Sequence, residues 1–168
     1  MKTLLAIINE PKESKDFIRY VAGMGVDLKA NVHLLYTQNP TNYPLGTRGT
    51  TGIAVAQVQQ NLEALADTAK EILAKHIEDV KSKMQEDVFI DYSTELGVTS
   101  LLVKQLVSDN KADMVVLEGQ KNESFWTQTS GNMEIIGSVD CPVWIIPNTL
   151  VYEPFTEIVY ATDYKEED

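Results

Sequence analysis

A chain of 168 residues with 43% hydrophobic and 23% charged residues has the size and composition of one folded domain and is too short for two ordinary ones. The net charge of −11 argues against nucleic-acid binding, and no apolar run reaches the roughly 20 residues that a membrane span needs. The single cysteine, Cys141, excludes an internal disulfide and fits a reducing cytoplasm. We therefore expect a cytoplasmic protein that binds neither nucleic acid nor membrane.

Hydrophobic periodicity predicts strands that alternate with helices. Apolar and β-branched runs typical of buried strands lie at residues 3–8, 31–37, 88–93, 113–117 and 142–146. Apolar residues three and four apart predict helices at residues 15–28, 53–84, 98–108 and 130–137. This alternation favours right-handed crossovers, and hence a doubly wound, mainly parallel five-stranded α/β sheet with helices on both faces. The ligand site of such a sheet lies beyond the carboxyl ends of its central strands.

Some side chains have a specific predicted role in the helices. Ser14 is expected to cap the first helix through its hydroxyl group. Leu65, Leu101 and Met133 fall on the apolar stripes and are expected to face the core. His76 lies near the buried face of the long helix, and we interpret it as a structural histidine with satisfied hydrogen bonds.

The residues near the end of the chain resemble those near its beginning in their pattern of apolar and polar side chains. Residues 158–163 (IVYATD) align with residues 4–9 (LLAIIN), one domain length apart, and lysine and glutamate follow both runs. We interpret residues 1–148 as one domain, and residues 149–168 as a linker and the first strand of a second, truncated repeat. The alternative is an ordinary sixth strand of a single domain. An orphan strand has unpaired edges and is expected to seek a partner.

Three local sequences resemble the universal stress protein family. Residues 112–119 (ADMVVLEG) are similar to its fourth strand and phosphate loop, residues 141–147 (CPVWIIP) to its closing strand, and residues 158–163 to its opening strand. The resemblance covers nearly the whole chain. It implies a flavodoxin-like or adenine nucleotide alpha hydrolase-like fold, a homodimer through the closing strand and C-terminal tail and, in many members, ATP or AMP binding.

The phosphate loop of nucleotide-binding members has the pattern Gly-x2-Gly-x9-Gly-Ser/Thr, in which glycines let the backbone approach the phosphates. Thr129 and Ser130 take the final pair here, which places Gly119 at the middle glycine and Val116 at the first. A second register, with Gly131 in the final pair, loses the other two glycines. No register keeps all three glycines, so the resemblance implies a degenerate site.

The candidate residues of a residual nucleotide site are Asn9, Thr37, Gly119, Lys121, Thr129 and Ser130. Asn9 stands where the family has aspartate at the end of the first strand, and its amide can bond an adenine or ribose edge. Thr37 ends the second strand and is expected to form the matching wall of the base pocket. Ser130 is either an anion-binding element at a helix N-terminus or a plain N-cap. Lys121 either meets a phosphate or is a solvated loop lysine.

The segment between these residues is unlike a phosphate loop. Glu118 and Glu123 would face the phosphates and weaken their binding. For Phe125 and Trp126 four roles are open: they plug the pocket, they form a lid, they contact a partner chain, or they pack on the domain. His33 and His76 lie far apart in sequence, and we find neither a zinc-ligand pattern nor a Gly-x-Ser-x-Gly nucleophile motif.

Three functions remain open. The favoured one is a non-enzymatic stress-response or regulatory protein with a degenerate nucleotide site, for which no cofactor is expected. The second is an ATP- or AMP-binding member with slow ATP hydrolysis. The third is a binding module for another small ligand, in which the loop at residues 38–52, Phe125 and Trp126 would line an altered pocket.

Overall fold

The computed structural model describes residues 2–39, 52–119, 130–147, 151–157 and 159, and it describes their side chains except at residues 52–58, 130 and 131. The strands in these ranges are β1 (Lys2–Ile8), β2 (Ala30–Gln38), β3 (Ile90–Leu96), β4 (Met114–Glu118) and β5 (Val143–Ile146). The helices are α1 (Lys15–Asp27), α2 (Gly52–Lys81), α3 (Thr99–Ser108) and α4 (Ser130–Ile136), and a 3₁₀ turn (Pro11–Glu13) precedes α1.

The described strands form one sheet in the order β3-β2-β1-β4-β5, and every neighbouring pair is parallel. The predicted doubly wound α/β sheet is therefore confirmed. β1 lies in the middle with strands on both sides, which explains its unbroken apolar run. Leu4 and Ala6 belong to the core of one face, and Leu5 and Ile7 belong to the core of the other.

Helices cover both faces, as predicted. α1 and α2 build the larger core, to which they contribute Val21, Met24 and Leu73. α3 and α4 build the smaller core on the opposite face with Val103 and Ile135. The polypeptide switches faces after β3, so the direction of winding reverses between β1 and β4 and leaves a crevice at their carboxyl ends.

β3 differs most from its predicted bounds. It begins at Ile90 instead of residue 88 and continues to Leu96 instead of residue 93. The added half is polar, but its backbone pairs with β2 up to Gln38, whose carbonyl accepts the Gly97 N–H at 3.0 Å. Backbone pairing extends this strand where its side chains give no hydrophobic signal.

Several side-chain predictions for the helices are wrong. The Ser14 hydroxyl makes no cap bond to α1 and instead donates to the Pro11 carbonyl at 2.8 Å, because the 3₁₀ turn runs directly into the helix. Three of the residues predicted to face the core are exposed: Leu65, Leu101 and Met133. The His76 Nε2 atom is buried without a hydrogen-bond partner among the described residues, so this histidine is not satisfied.

The segment after β5 is irregular over residues 151–157. The predicted strand of a second repeat, residues 158–163, lies outside the described residues except for Val159, which is exposed. The division into residues 1–148 and 149–168 therefore stays a prediction. In the described parts of the chain, every helix is too short or too polar to cross a bilayer.

Candidate functional site

A cavity of about 350 Å³ opens at the carboxyl ends of β1 and β2, where the first turn of α3 and the body of α4 approach them. Its position matches the ligand site expected for a doubly wound sheet. Its lining residues come from the ends of β1 and β2, from the start of α3 and from the body of α4: Ile7, Ile8, Asn9, Thr37, Asn39, Val98, Thr99, Ser100, Asn132, Glu134 and Ile135.

The sheet brings two of the predicted site residues together in this cavity. Asn9 directly follows β1, and Thr37 lies near the end of β2. Ile8 pairs with Tyr36 in the parallel register, so Asn9 and Thr37 come next to each other at the same edge of the sheet. Asn39 extends the polar rim by two residues along β2.

Hydroxyl groups form the wall on the α3 side. The Thr37 and Thr99 Oγ1 atoms lie 2.6 Å apart and share a hydrogen bond that joins β2 to the first residue of α3. The Ser100 hydroxyl donates to Glu134 of α4 over a long 3.4 Å. These bonds fix the position of α3 and α4 on either side of the cavity.

The first turn of α3 presents its amide groups at this wall. Val98 is the N-cap residue, has extended backbone angles and makes no side-chain cap bond. The first N–H groups of a helix have no partner within the helix, and the positive end of the helix dipole lies there. Thr99 and Ser100 of this turn line the cavity. This end of α3 favours a ligand that carries hydrogen-bond acceptors.

Gly119 occupies a different environment. Its N–H donates to the Ile146 carbonyl at 2.7 Å, which extends the β4–β5 pairing by one residue. A Cβ atom at this position would lie 3.1 Å from the same carbonyl oxygen and 3.3 Å from the Pro147 Cα. Close packing against β5 therefore accounts for a glycine here. Gly119 does not line the cavity.

The other predicted site residues are placed only in part. Ser130 is the first residue of α4, the helix that contributes Asn132, Glu134 and Ile135 to the cavity. Lys121 and Thr129 lie outside the described residues, and so do three further residues that sequence reasoning singled out: Glu123, Phe125 and Trp126. Their roles stay predictions.

Sequence reasoning missed the polar residues that α3 and α4 contribute. Thr99, Ser100, Asn132 and Glu134 line the cavity, although no part of the phosphate-loop pattern points to them. Thr99 and Ser100 could have been predicted from their position shortly after β3, because residues that follow the strands of a parallel sheet gather at one edge. Asn132 and Glu134 lie within α4, and their spacing gives no such signal.

The electrostatics of the cavity are unfavourable for an anion. Glu134 contributes a carboxylate, and the described lining residues include no lysine or arginine. The molecule as a whole carries a net charge of −11. Among the described residues, no group of three histidine, cysteine, aspartate or glutamate side chains is arranged to hold a metal ion.

No protein-family model matches the sequence, and no curated protein matches it. Solved structures do match the fold. The universal stress protein UspA from Lactobacillus plantarum has a TM-score of 0.66 and 15% identity, over 86% of this chain and 97% of that chain. A universal stress protein family protein from Arabidopsis thaliana with AMP bound has a TM-score of 0.56 and 12% identity, over 88% of this chain and 92% of its own.

A universal stress protein in complex with cAMP has a TM-score of 0.54 and 12% identity, over 88% of this chain and 98% of that one. Each match spans nearly the whole of both proteins, so the likeness concerns the complete domain. It agrees with the order of the described strands. This chain therefore has the fold of the universal stress proteins.

Proposed function

We propose that this chain is a regulatory member of the universal stress protein family whose crevice binds the nucleoside part of an adenine nucleotide and holds its phosphates weakly. The observation that carries this proposal is the cavity in which Asn9 and Thr37 meet. Its volume of about 350 Å³ falls at the lower end of the range for small-molecule pockets, about 300–1,000 Å³.

The polar groups of the cavity suit a neutral, hydrogen-bonding ligand. Asn9 and Asn39 offer both donors and acceptors, and Thr37 and Thr99 offer hydroxyl groups. Ile7 and Ile135 supply apolar surface. A purine ring with a ribose requires this mixture. The solved structures of similar fold with AMP and with cAMP support an adenine nucleotide as the class of ligand that we propose.

The part of the crevice that would hold the phosphates offers few groups that bind them. A phosphate loop needs free main-chain N–H groups, and the Gly119 N–H is already bonded to the Ile146 carbonyl. Glu134 adds a negative charge to the cavity. Both features oppose a triphosphate more than a monophosphate, and neither opposes adenosine. We therefore propose a binding role in the crevice without ATP turnover there.

We also propose a homodimer through β5 and the C-terminal tail. Trp144 of β5 and Phe155 of the tail pack with ring centroids 4.8 Å apart, and Ile145 is exposed on this edge strand. An exposed edge strand favours pairing with another chain. We also propose a cytoplasmic location, which the single cysteine, Cys141, supports. Light scattering of the protein at micromolar concentration tests the dimer, and a monomer contradicts it.

Calorimetric titration with AMP tests the crevice. Thr37→Val replaces the hydroxyl by a methyl of similar size, so we expect AMP binding to weaken about five- to tenfold, the effect of about 1 kcal/mol from one hydrogen bond. Thr68→Val is the matched control, because the Thr68 hydroxyl donates to the Ala64 carbonyl on the exposed side of α2, outside the cavity. Equal affinity of Thr37→Val and wild type, or no binding of AMP to wild type at millimolar concentration, contradicts the proposal.

A further inference from the structure

A serine, a histidine and an aspartate form a hydrogen-bonded chain on β2 and β3. The His33 Nδ1 atom lies 2.7 Å from the Asp91 Oδ1 atom, and the His33 Nε2 atom lies 2.9 Å from the Ser93 Oγ atom. With the proton on Nδ1, His33 donates to the carboxylate and accepts from the serine hydroxyl. These are the contacts that a nucleophile, its base and the group that orients the base make in acyl-transfer enzymes.

The strand register creates this arrangement, although the three residues form no sequence motif. His33 lies opposite Asp91, and Ser93 follows Asp91 by two residues. Side chains two apart on a strand point to the same face of a sheet. One histidine of β2 therefore reaches both polar side chains of β3, from 58 and 60 residues away in sequence.

The cluster faces an open part of the sheet. The core under α3 and α4 draws its residues from β1, β4 and β5, takes only Leu35 from β2, and takes none from β3 among the described residues. The side chain of Asp91 is 50% exposed and that of His33 is 24% exposed. A small molecule can approach Ser93 from this side without entering the crevice at Thr37.

We propose that Ser93 is a nucleophile activated by His33, and that it takes acyl groups from activated esters such as aryl esters. The Ser93 oxygen bonds to the ester carbonyl carbon as its proton passes to the His33 Nε2 atom. The carbon–oxygen bond of the ester then breaks, and the proton on Nε2 passes to the leaving phenolate, which departs as the phenol and leaves His33 neutral again. Water hydrolyses the acyl-serine in the second half: its proton passes to Nε2, a carboxylic acid is released and Ser93 regains its hydrogen. Asp91 acts as a positioning residue that holds the imidazole in the required tautomer.

The main chain around Ser93 decides the substrate class. The Phe89 carbonyl accepts from the Val32 N–H, and the Gly97 N–H donates to the Gln38 carbonyl. Residues an even number of positions apart on a strand direct their N–H and carbonyl groups to the same side. Ser93 is four residues from both Phe89 and Gly97, so its N–H also points to β2 and is not available to an oxyanion. Ser93 therefore lacks its own amide as an oxyanion donor, and one such donor is worth about 10²–10³-fold in rate. Only esters with a good leaving group, which need less stabilisation, are expected to react.

Labelling with a fluorophosphonate probe tests the proposal on the full chain. The serine oxygen bonds to phosphorus, fluoride leaves, and the hydroxyl proton is lost through His33. Trypsin releases residues 84–104 as one peptide, which also carries Ser100 as an internal reference serine. We expect fragmentation spectra to place the adduct on Ser93. We also expect a matching burst of p-nitrophenol from p-nitrophenyl acetate.

Three variants make the test specific. His33→Gln keeps a polar side chain but removes the base, so we expect the labelling rate at Ser93 to fall at least about 100-fold. Ser93→Ala abolishes the adduct, and Ser82→Ala, a serine of the chain after α2, leaves it unchanged. Circular dichroism confirms that each variant is folded. An adduct rate at Ser93 no greater than that at Ser100, or unchanged in His33→Gln, overturns the proposal.

The role of Asp91 has a spectroscopic readout. Long-range ¹H–¹⁵N spectra of the imidazole report which nitrogen carries the proton, and only two histidines need to be assigned. We expect the Nδ1–H tautomer of His33 in wild type, and a mixture of tautomers with slower labelling in Asp91→Asn. An unchanged tautomer and labelling rate in Asp91→Asn contradicts the positioning role. The whole test is independent of nucleotide binding, because no residue of this cluster lines the crevice.

Discussion

Gly119 and Asn9 end neighbouring strands and have different main-chain surroundings. Asn9 lines the cavity, whereas the Gly119 N–H is bonded to the Ile146 carbonyl. The resemblance predicted Asn9 and Thr37 as parts of one pocket, in agreement with the rule that ligand sites lie beyond the carboxyl ends of central strands. It could not predict the partner of Gly119, because a glycine required for close packing and a glycine required for phosphate binding look the same in a sequence.

Substitution of Gly119 separates these two roles. A methyl group at Gly119 would press on the Ile146 carbonyl and on Pro147, so Gly119→Ala is expected to lower the free energy of unfolding by about 1–3 kcal/mol. We expect AMP binding to remain unchanged. Gly137→Ala is the control, since a methyl there would lie 3.4 Å from the Met133 carbonyl, an ordinary contact. Urea denaturation measures the stability of both variants, and calorimetric titration measures their AMP binding. A Gly119→Ala protein that is as stable as wild type but binds AMP less well contradicts the packing role.

Asp79 makes stability depend on pH in acid. Hydrogen bonds from Lys15 and then Lys83, at 2.7 and 2.9 Å, lower the pKa of its carboxyl group from 3.8 to about 2. A carboxyl group whose pKa is lowered by folding stabilises the protein above its unfolded pKa, and that contribution is lost as the pH falls through the folded value. The unfolding free energy of Asp79→Asn is therefore expected to fall less steeply than that of wild type between about pH 4 and pH 2. Parallel pH profiles of the two proteins contradict this assignment.

The elements differ in how well their sequences define them. β1 was predicted nearly to the residue because both of its faces are buried, which leaves an unbroken apolar run. The second half of β3 is polar on a partly open face, so hydrophobicity could not define it, and its pairing with β2 does. For the same reason the cluster of His33, Asp91 and Ser93 could not be predicted: it depends on a register that only the folded sheet shows.

α2 offers two leucines with opposite environments. Leu73 is fully buried in the core with α1, whereas Leu65 is 45% exposed two turns earlier. Leu73→Ala is expected to lower the free energy of unfolding by about 2–5 kcal/mol, because it removes apolar burial and leaves a cavity. Leu65→Ala should cost under about 1 kcal/mol. Similar losses for both variants in urea denaturation contradict the orientation of this helix.

At the scale of the whole molecule, the segment after β5 returns across α1. The Tyr152 hydroxyl donates to Asp27, and its ring meets Tyr20 edge-on with centroids 5.1 Å apart. Burial, followed by the hydrogen bond to Asp27, raises the pKa of Tyr152 above its ordinary value. Glycine is unfavourable within a helix, but at Gly23 the Tyr152 ring occupies the space where a side chain would lie.

Gly23→Ala is expected to change the free energy of unfolding in opposite directions in two backgrounds, wild type and Tyr152→Ala. In wild type the new methyl group collides with the Tyr152 ring, so the substitution should destabilise the protein and release the tail. In a Tyr152→Ala background the collision is gone, and Gly23→Ala should stabilise the helix by roughly 0.5–1 kcal/mol. Urea denaturation of all four proteins gives this cycle. The same sign in both backgrounds shows that Tyr152 does not pack on this position in solution.

The proposed function depends on a crevice at the ends of β1 and β2 that accepts a nucleoside and gives its phosphates little support. Calorimetric titration with adenosine, AMP and ATP at one ionic strength tests this claim most directly. We predict that affinity falls in that order, because each added phosphate brings negative charge toward Glu134 without gaining the Gly119 N–H as a donor. Micromolar binding of ATP, tighter than that of adenosine, would contradict it.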